Sequence, residues 1–206
     1  MANVRDQSNH VGMKRLHAFA ILPAFVADPA CAEVQLESKL EEYDVTGTIL
    51  EEVDRNIFAV SPVEEDGETY AGQGGTRWNW WVTTVMSGGN CRIDTVRIDA
   101  VSTITLPRWI GYETAREADQ AEWDRYIAAL RGHEKGHTDR GEAQLARLEE
   151  ALRSLRPALD CDMLIDDARS MADRFNASIQ MEQSLYDDMT NHGVTQGAAL
   201  RYRRKP

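Results

Sequence analysis

The sequence predicts an α+β fold, a small antiparallel sheet followed by long helices, on three observations. Apolar residues recur with a period near two up to about Leu106, and at spacings of three and four from about Thr114 onward. Gly and Pro punctuate the first half heavily, whereas Pro157 divides an otherwise helical second half. The 206 residues, 42% hydrophobic and 28% charged, suit one globular domain with a sizeable core.

In chain order, the N-terminus reads as a processing segment. Met13-Lys14-Arg15 opens a mostly apolar stretch from Leu16 to Ala27, and Ala30-Cys31-Ala32 offers a small-x-small cleavage site. Residues 1–32 are therefore read as an extension plus signal peptide, and 33–206 as a single domain. No later stretch is long and apolar enough to span a membrane, so no membrane anchor is expected after cleavage. Removing the leader takes away Cys31, His10 and His17. Cys91 and Cys161 remain as an even pair, for which an oxidising compartment permits a disulfide. Three histidines remain, His133, His137 and His192.

Residues Glu42 to Gly47 read as a short strand, and Thr48 with Glu51 as a capping box for a helix to about Asn56. Pro62, Asp66-Gly67, Gly72, Gly74 and Gly75 make 61–76 a loop. From Arg77 to Met86 the chain alternates, Ser87-Gly88-Gly89-Asn90 turns it, and Cys91 to Leu106 returns as the second strand of a hairpin. Trp78, Trp80 and Trp81 are expected as sheet packing. Trp123, Ile127, Leu130, Leu145, Leu148, Leu152 and Leu155 then form one helical stripe, ended by Pro157. Cys161 begins another helix, to about Met189. The basic tail from Arg201 carries no assigned function.

Glu134, His137 and Gly141 continue the apolar stripe of the first long helix, so His133-Glu134-Lys135-Gly136-His137 faces the interior. Imidazoles at i and i+4 lie one turn apart on one face and can reach the same ion. Neutral imidazole suits Zn²⁺, and the carboxylate beside it can take a proton from metal-bound water. One Zn²⁺ per chain is expected. Gly136, mid-helix at a cost of about 1 kcal/mol against Ala, suggests close packing over the site.

A catalytic zinc uses three protein ligands. Arg140 and Ala143 break the extended pattern that would place a Gly and a His soon after His137. Glu149 and Glu150 lie on the same helix, roughly 18–20 Å away along its axis, and are excluded. The third ligand must come from beyond Pro157. His192 is preferred, an isolated histidine after a helix end; Glu182, Asp187 and Asp188 are its carboxylate competitors.

Four features in order, Tyr43-x-Val45-x-Gly47, Trp78-Asn79-Trp80, His133-Glu134-x-x-His137 and Tyr186-Asp187-x-x-Thr190-x-His192-Gly193, resemble the bacterial predicted secreted zinc-dependent proteases (domain of unknown function 922). The resemblance implies His133, His137 and His192 as ligands, with Glu134 as general base and then as acid toward the leaving amine. The Tyr186 hydroxyl is a candidate oxyanion donor, with a packed aromatic as the alternative. Asp187 is a candidate for orienting a ligand imidazole, with a surface acid at a helix end as its alternative.

The expected function is a secreted or periplasmic zinc metallopeptidase acting on a peptide or protein. The alternatives are a zinc-stabilised binding or inhibitor protein and a zinc amidase acting on cell-wall material. A net charge of −11 argues against nucleic acid as a partner. Glu64-Glu65-Asp66 matches no calcium-loop spacing.

Overall fold

The structure, a computed structural model, describes residues 33–65 and 67–202. The leader assigned to residues 1–32 lies outside the described residues. Strand β1 (Glu33–Val45) leads into helix α1 (Leu50–Val60), followed by the short strands β2 (Glu64–Glu65) and β3 (Glu68–Thr69). Long strands β4 (Gln73–Ser87) and β5 (Asn90–Trp109) come next, then helices α2 (Glu117–Arg153) and α3 (Cys161–Thr190).

The β4–β5 hairpin forms because Gly88 and Gly89 both take positive φ, the conformation a two-residue turn needs to match strand twist. Ser87 pairs with Asn90, and a register shift at Thr83/Thr84 bends the ribbon. The α+β class holds, but the sheet is mixed: its order is β1-β5-β4, and β1 runs parallel to β5. A parallel neighbour needs a long connection: α1 and the following loop carry the chain from the end of β1 past β5 to the start of β4, and β4 itself runs back to the start of β5. β1 also extends well ahead of Glu42. From Gln35 to Glu42 every side chain is exposed, so no alternation marked them. Glu37, Lys39, Glu41 and Glu42 instead give this edge the charges that discourage further strand pairing.

The expected capping box is not formed: the N-cap of α1 is Ile49, without a side-chain cap, and Thr48 just before it is tied to Glu52 and not to Glu51. The Thr48 amide and hydroxyl both donate to Glu52 Oε2, each at 2.8 Å. The helix runs to Val60, four residues past the expected end.

Two apolar clusters flank the middle of α2. Val45, Leu50, Val53, Ile57, Leu106, Trp109, Trp123, Tyr126 and Leu130 join α1 to the sheet and the first turns of α2. Val96, Ile98, Ala100, Leu145, Leu148, Leu152, Ala168 and Ala172 join the sheet, the end of α2 and α3. Trp78 and Trp80 pack against this second cluster. Trp81 lies on the other sheet face, half exposed beneath the Arg97 guanidinium. Cys91 and Cys161 form a disulfide tying the start of β5 to the start of α3 across 70 residues. Asp160 caps α3, its side chain accepting from the Met163 amide. Among the described residues no helix is long and apolar enough to cross a membrane.

Candidate metal centre

Helical periodicity carries the buried stripe of α2 through both clusters, and between them it presents polar groups. His133, Glu134 and His137 are 3%, 4% and 6% exposed. Burying three such groups is costly unless each is satisfied. The two imidazoles meet tip to tip, His133 Nε2 lying 3.3 Å from His137 Nε2. Asp187 from α3 completes the group, its Oδ1 3.1 Å from the first nitrogen and 3.0 Å from the second. Two nitrogens bound tetrahedrally to zinc at 2.0–2.1 Å stand about 3.3 Å apart. The three atoms thus form a triangle of the size one ion would span, and two imidazoles with one carboxylate suit zinc.

The antiparallel α2–α3 pair delivers Asp187. Gln144 bonds Glu182, His137 bonds Gln183 and His133 bonds Asp187, stepping in opposite directions along the two helices. Because α3 stays helical through Thr190, Asp187 remains on the face turned to α2. Glu182 is engaged by Gln144, and Asp188 is exposed. His192 lies outside the triangle. Half exposed, it holds its Nδ1 3.7 Å from Asp187 Oδ1, and its ring rests against Tyr70 at 5.0 Å. The structure therefore places Asp187, a competitor in the sequence reading, at the third vertex, and His192 at the rim.

Two glutamines unmarked by any sequence pattern hold the imidazoles. His133 Nδ1 bonds Gln196 Oε1 at 2.9 Å, and His137 Nδ1 bonds Gln183 Oε1. Gln183 Nε2 donates to the His137 carbonyl and Gln196 Nε2 to the Tyr186 hydroxyl, which orients both amides. Each carbonyl oxygen then accepts from Nδ1–H, leaving the Nε2 lone pairs directed at the triangle. Gln183 was traceable only by lying one turn before Asp187. Gln196 sits in the single-turn helix Val194–Gln196, after three consecutive left-handed residues, Asn191, His192 and Gly193.

Tyr186 is buried and packed. Its ring stacks on His133 at 4.9 Å, meets His137 edge-on at 4.8 Å, and carries the Arg140 guanidinium 3.6 Å from its centroid. Its hydroxyl points to Gly136 and Gln196. That is the arrangement of a packed aromatic with a bonded hydroxyl, the alternative raised for Tyr186.

Glu134 lies against the start of β4. Gly74 presses on its backbone and Gly72 on its carboxylate, so closely that a β-carbon at Gly74 would lie 2.0 Å from the Glu134 carbonyl oxygen. Burial, and then the negative charge of Asp187, push the Glu134 carboxyl up to about 8, against a hydrogen bond from the Gly74 amide. Burial pushes His133 below the usual histidine range, partly countered by its bond to Gln196.

The profile of a family described as a bacterial protein of unknown function (DUF922) matches residues 40–193. Comparison with curated proteins and with solved structures gives no match.

Proposed function

We propose that this chain, which belongs to the bacterial DUF922 family, is a zinc-dependent metallopeptidase of the periplasm or the extracellular space. One observation carries the reading: His133, His137 and Asp187 converge on a single triangle beside the buried carboxyl of Glu134. A zinc ion held by those three residues would supply a Lewis acid and a water of near-neutral pKa. Glu134 accepts the proton of the attacking water and passes it to the amine nitrogen released when the C–N bond breaks. A carboxyl drawn up to about 8 by its surroundings gains from a nearby cation, which favours its ionised form. Gln183 and Gln196 hold both imidazoles in the required tautomer, and Tyr186 with Gly193 keeps the His133 ring from rotating.

β4 is an edge strand of its sheet, and its first residues lie against Glu134. An extended peptide adding to that edge would pass the carboxylate, which makes a polypeptide the favoured substrate. The Cys91–Cys161 disulfide supports export to an oxidising compartment.

The test combines metal analysis with Glu134→Gln. The purified protein is expected to hold one zinc and to cleave a broad peptide library, while Glu134→Gln keeps the zinc and loses at least a hundredfold in rate. Zinc in both proteins with cleavage by neither would favour a zinc-stabilised binding protein. Cleavage of muropeptides alone would favour a cell-wall amidase.

A further inference from the structure

Among the described residues, the candidate metal triangle leaves one histidine unexplained. His192 follows Asn191 in the left-handed region, both with φ of 49° and neither a glycine. Asn and His tolerate that region better than most residues, yet two in succession persist only where other contacts impose them. Those contacts are present. The His192 amide donates to the Asp187 carbonyl at 2.9 Å, and the Gly193 amide to the Thr190 hydroxyl at 3.3 Å. The Thr190 hydroxyl is itself anchored on the Tyr186 carbonyl at 2.7 Å. A β-carbon at Gly193 would lie 2.8 Å from His133 Cγ, so this backbone is pressed onto a ligand ring. The chain is bent to bring an imidazole to the rim of the site and leave it half exposed.

From the other side, the segment Tyr70–Gly74 reaches both His192 and Glu134. Tyr70 packs on the His192 ring, and Gly72 and Gly74 lie on Glu134. Glu134 and His192 therefore both abut this one segment, His192 through Tyr70 and Glu134 through Gly72 and Gly74. Nδ1 of His192 is turned toward Asp187 Oδ1, but 3.7 Å is beyond a hydrogen bond. With a proton on Nδ1 and, among the described residues, no hydrogen bond there, the ring is placed to donate to an oxygen arriving at the edge of the triangle.

We infer that His192 is a substrate-facing hydrogen-bond donor, not a metal ligand, and that Tyr70 positions its ring. The inference rests on the metallopeptidase reading. As water adds to the scissile carbonyl carbon, the C=O π pair moves onto oxygen, and the His192 N–H donates to that oxygen without transferring its proton. Such a donor acts where charge develops, so its loss lowers kcat more than it raises KM.

The experiment measures zinc content, peptide kinetics and acetohydroxamate affinity for the wild type, Asp187→Ala, His192→Ala, His192→Gln and Tyr70→Ala. His192→Ala is expected to keep one zinc with affinity within about threefold of the wild type. Its kcat should fall about a hundredfold, and acetohydroxamate should bind at least tenfold more weakly. His192→Gln, which retains an N–H donor, should recover part of that loss. Tyr70→Ala should lower kcat about tenfold with zinc retained, whereas Asp187→Ala should lose the zinc. Loss of zinc from His192→Ala would make it a ligand and overturn the inference, as would unchanged kcat and hydroxamate affinity. A wild type without zinc would fail the metallopeptidase reading itself. A wild type with zinc but no peptide cleavage leaves the zinc and hydroxamate measurements to decide on His192.

Discussion

A β-carbon at Gly136 would stand 2.3 Å from the hydroxyl oxygen of Tyr186 and 2.7 Å from its Cζ. The glycine in the middle of the metal motif is thus the socket for the aromatic that stacks on His133. Neither residue is explained without the other.

Gly136→Ala sets two effects against each other. Alanine gains about 1 kcal/mol of helix propensity, but the clash is with a buried ring held between His133 and Arg140, and overpacking of that kind costs about 1–3 kcal/mol. Net destabilisation is expected, with weaker zinc binding because His133 loses its stacking partner. In the double variant Gly136→Ala/Tyr186→Ala the clash term vanishes, so thermal melts should show the two substitutions to be strongly non-additive.

Gln183→Leu and Gln196→Leu each remove the acceptor that fixes one imidazole tautomer. Partners of this kind change metal affinity by about 10–100-fold. Competition with a chromophoric chelator should place both variants in that range with secondary structure intact. The Gln183 variant should suffer more, since Gln196 is the more exposed of the two.

The zinc-free protein should lose stability as pH rises from about 5 to 8. Glu134 has its folded pKa raised to about 8 from an ordinary 4.5. Between those values the folded state binds the proton that the unfolded state has released, so rising pH favours unfolding. Glu134→Gln lacks this titration, and chelator-treated Glu134→Gln should show a flatter melting temperature across that window. An identical slope in both proteins would show that Glu134 ionises normally.

Reducing the Cys91–Cys161 bridge opens a loop of 70 residues, for which chain entropy gives about 4 kcal/mol. Cys91→Ala/Cys161→Ala should melt markedly lower. Because the bridge joins the ends of β5 and α3 remote from Asp187, the folded double variant should still bind zinc with near-native affinity.

Much of this architecture is legible along the chain because its cause is local. The hairpin follows from alternation around Gly88-Gly89, α2 from a stripe of period 3.6, and the joint between the long helices from Pro157. His133 and His137 bring their Nε2 atoms together because any α-helix places i and i+4 on one face. The β1 strand was only partly legible: with every side chain from Gln35 to Glu42 exposed, that stretch owes its place to parallel backbone pairing with β5.

The remaining half of the candidate metal centre belongs to tertiary structure. His192 and Asp187 are five residues apart, and which of them enters the triangle depends on where α3 ends and how α3 aligns with α2. One more helical turn keeps Asp187 facing His133, and three left-handed residues then carry His192 to the rim. Gln183 and Gln196 are ordinary polar residues until packing sets them against the two Nδ1 atoms. Spacing within a helix is a property of its own backbone, so the sequence by itself determined His133, Glu134 and His137. The third vertex, the amide supports and the place of His192 were decided only by the packing of α3 on α2, a contact between residues some fifty positions apart.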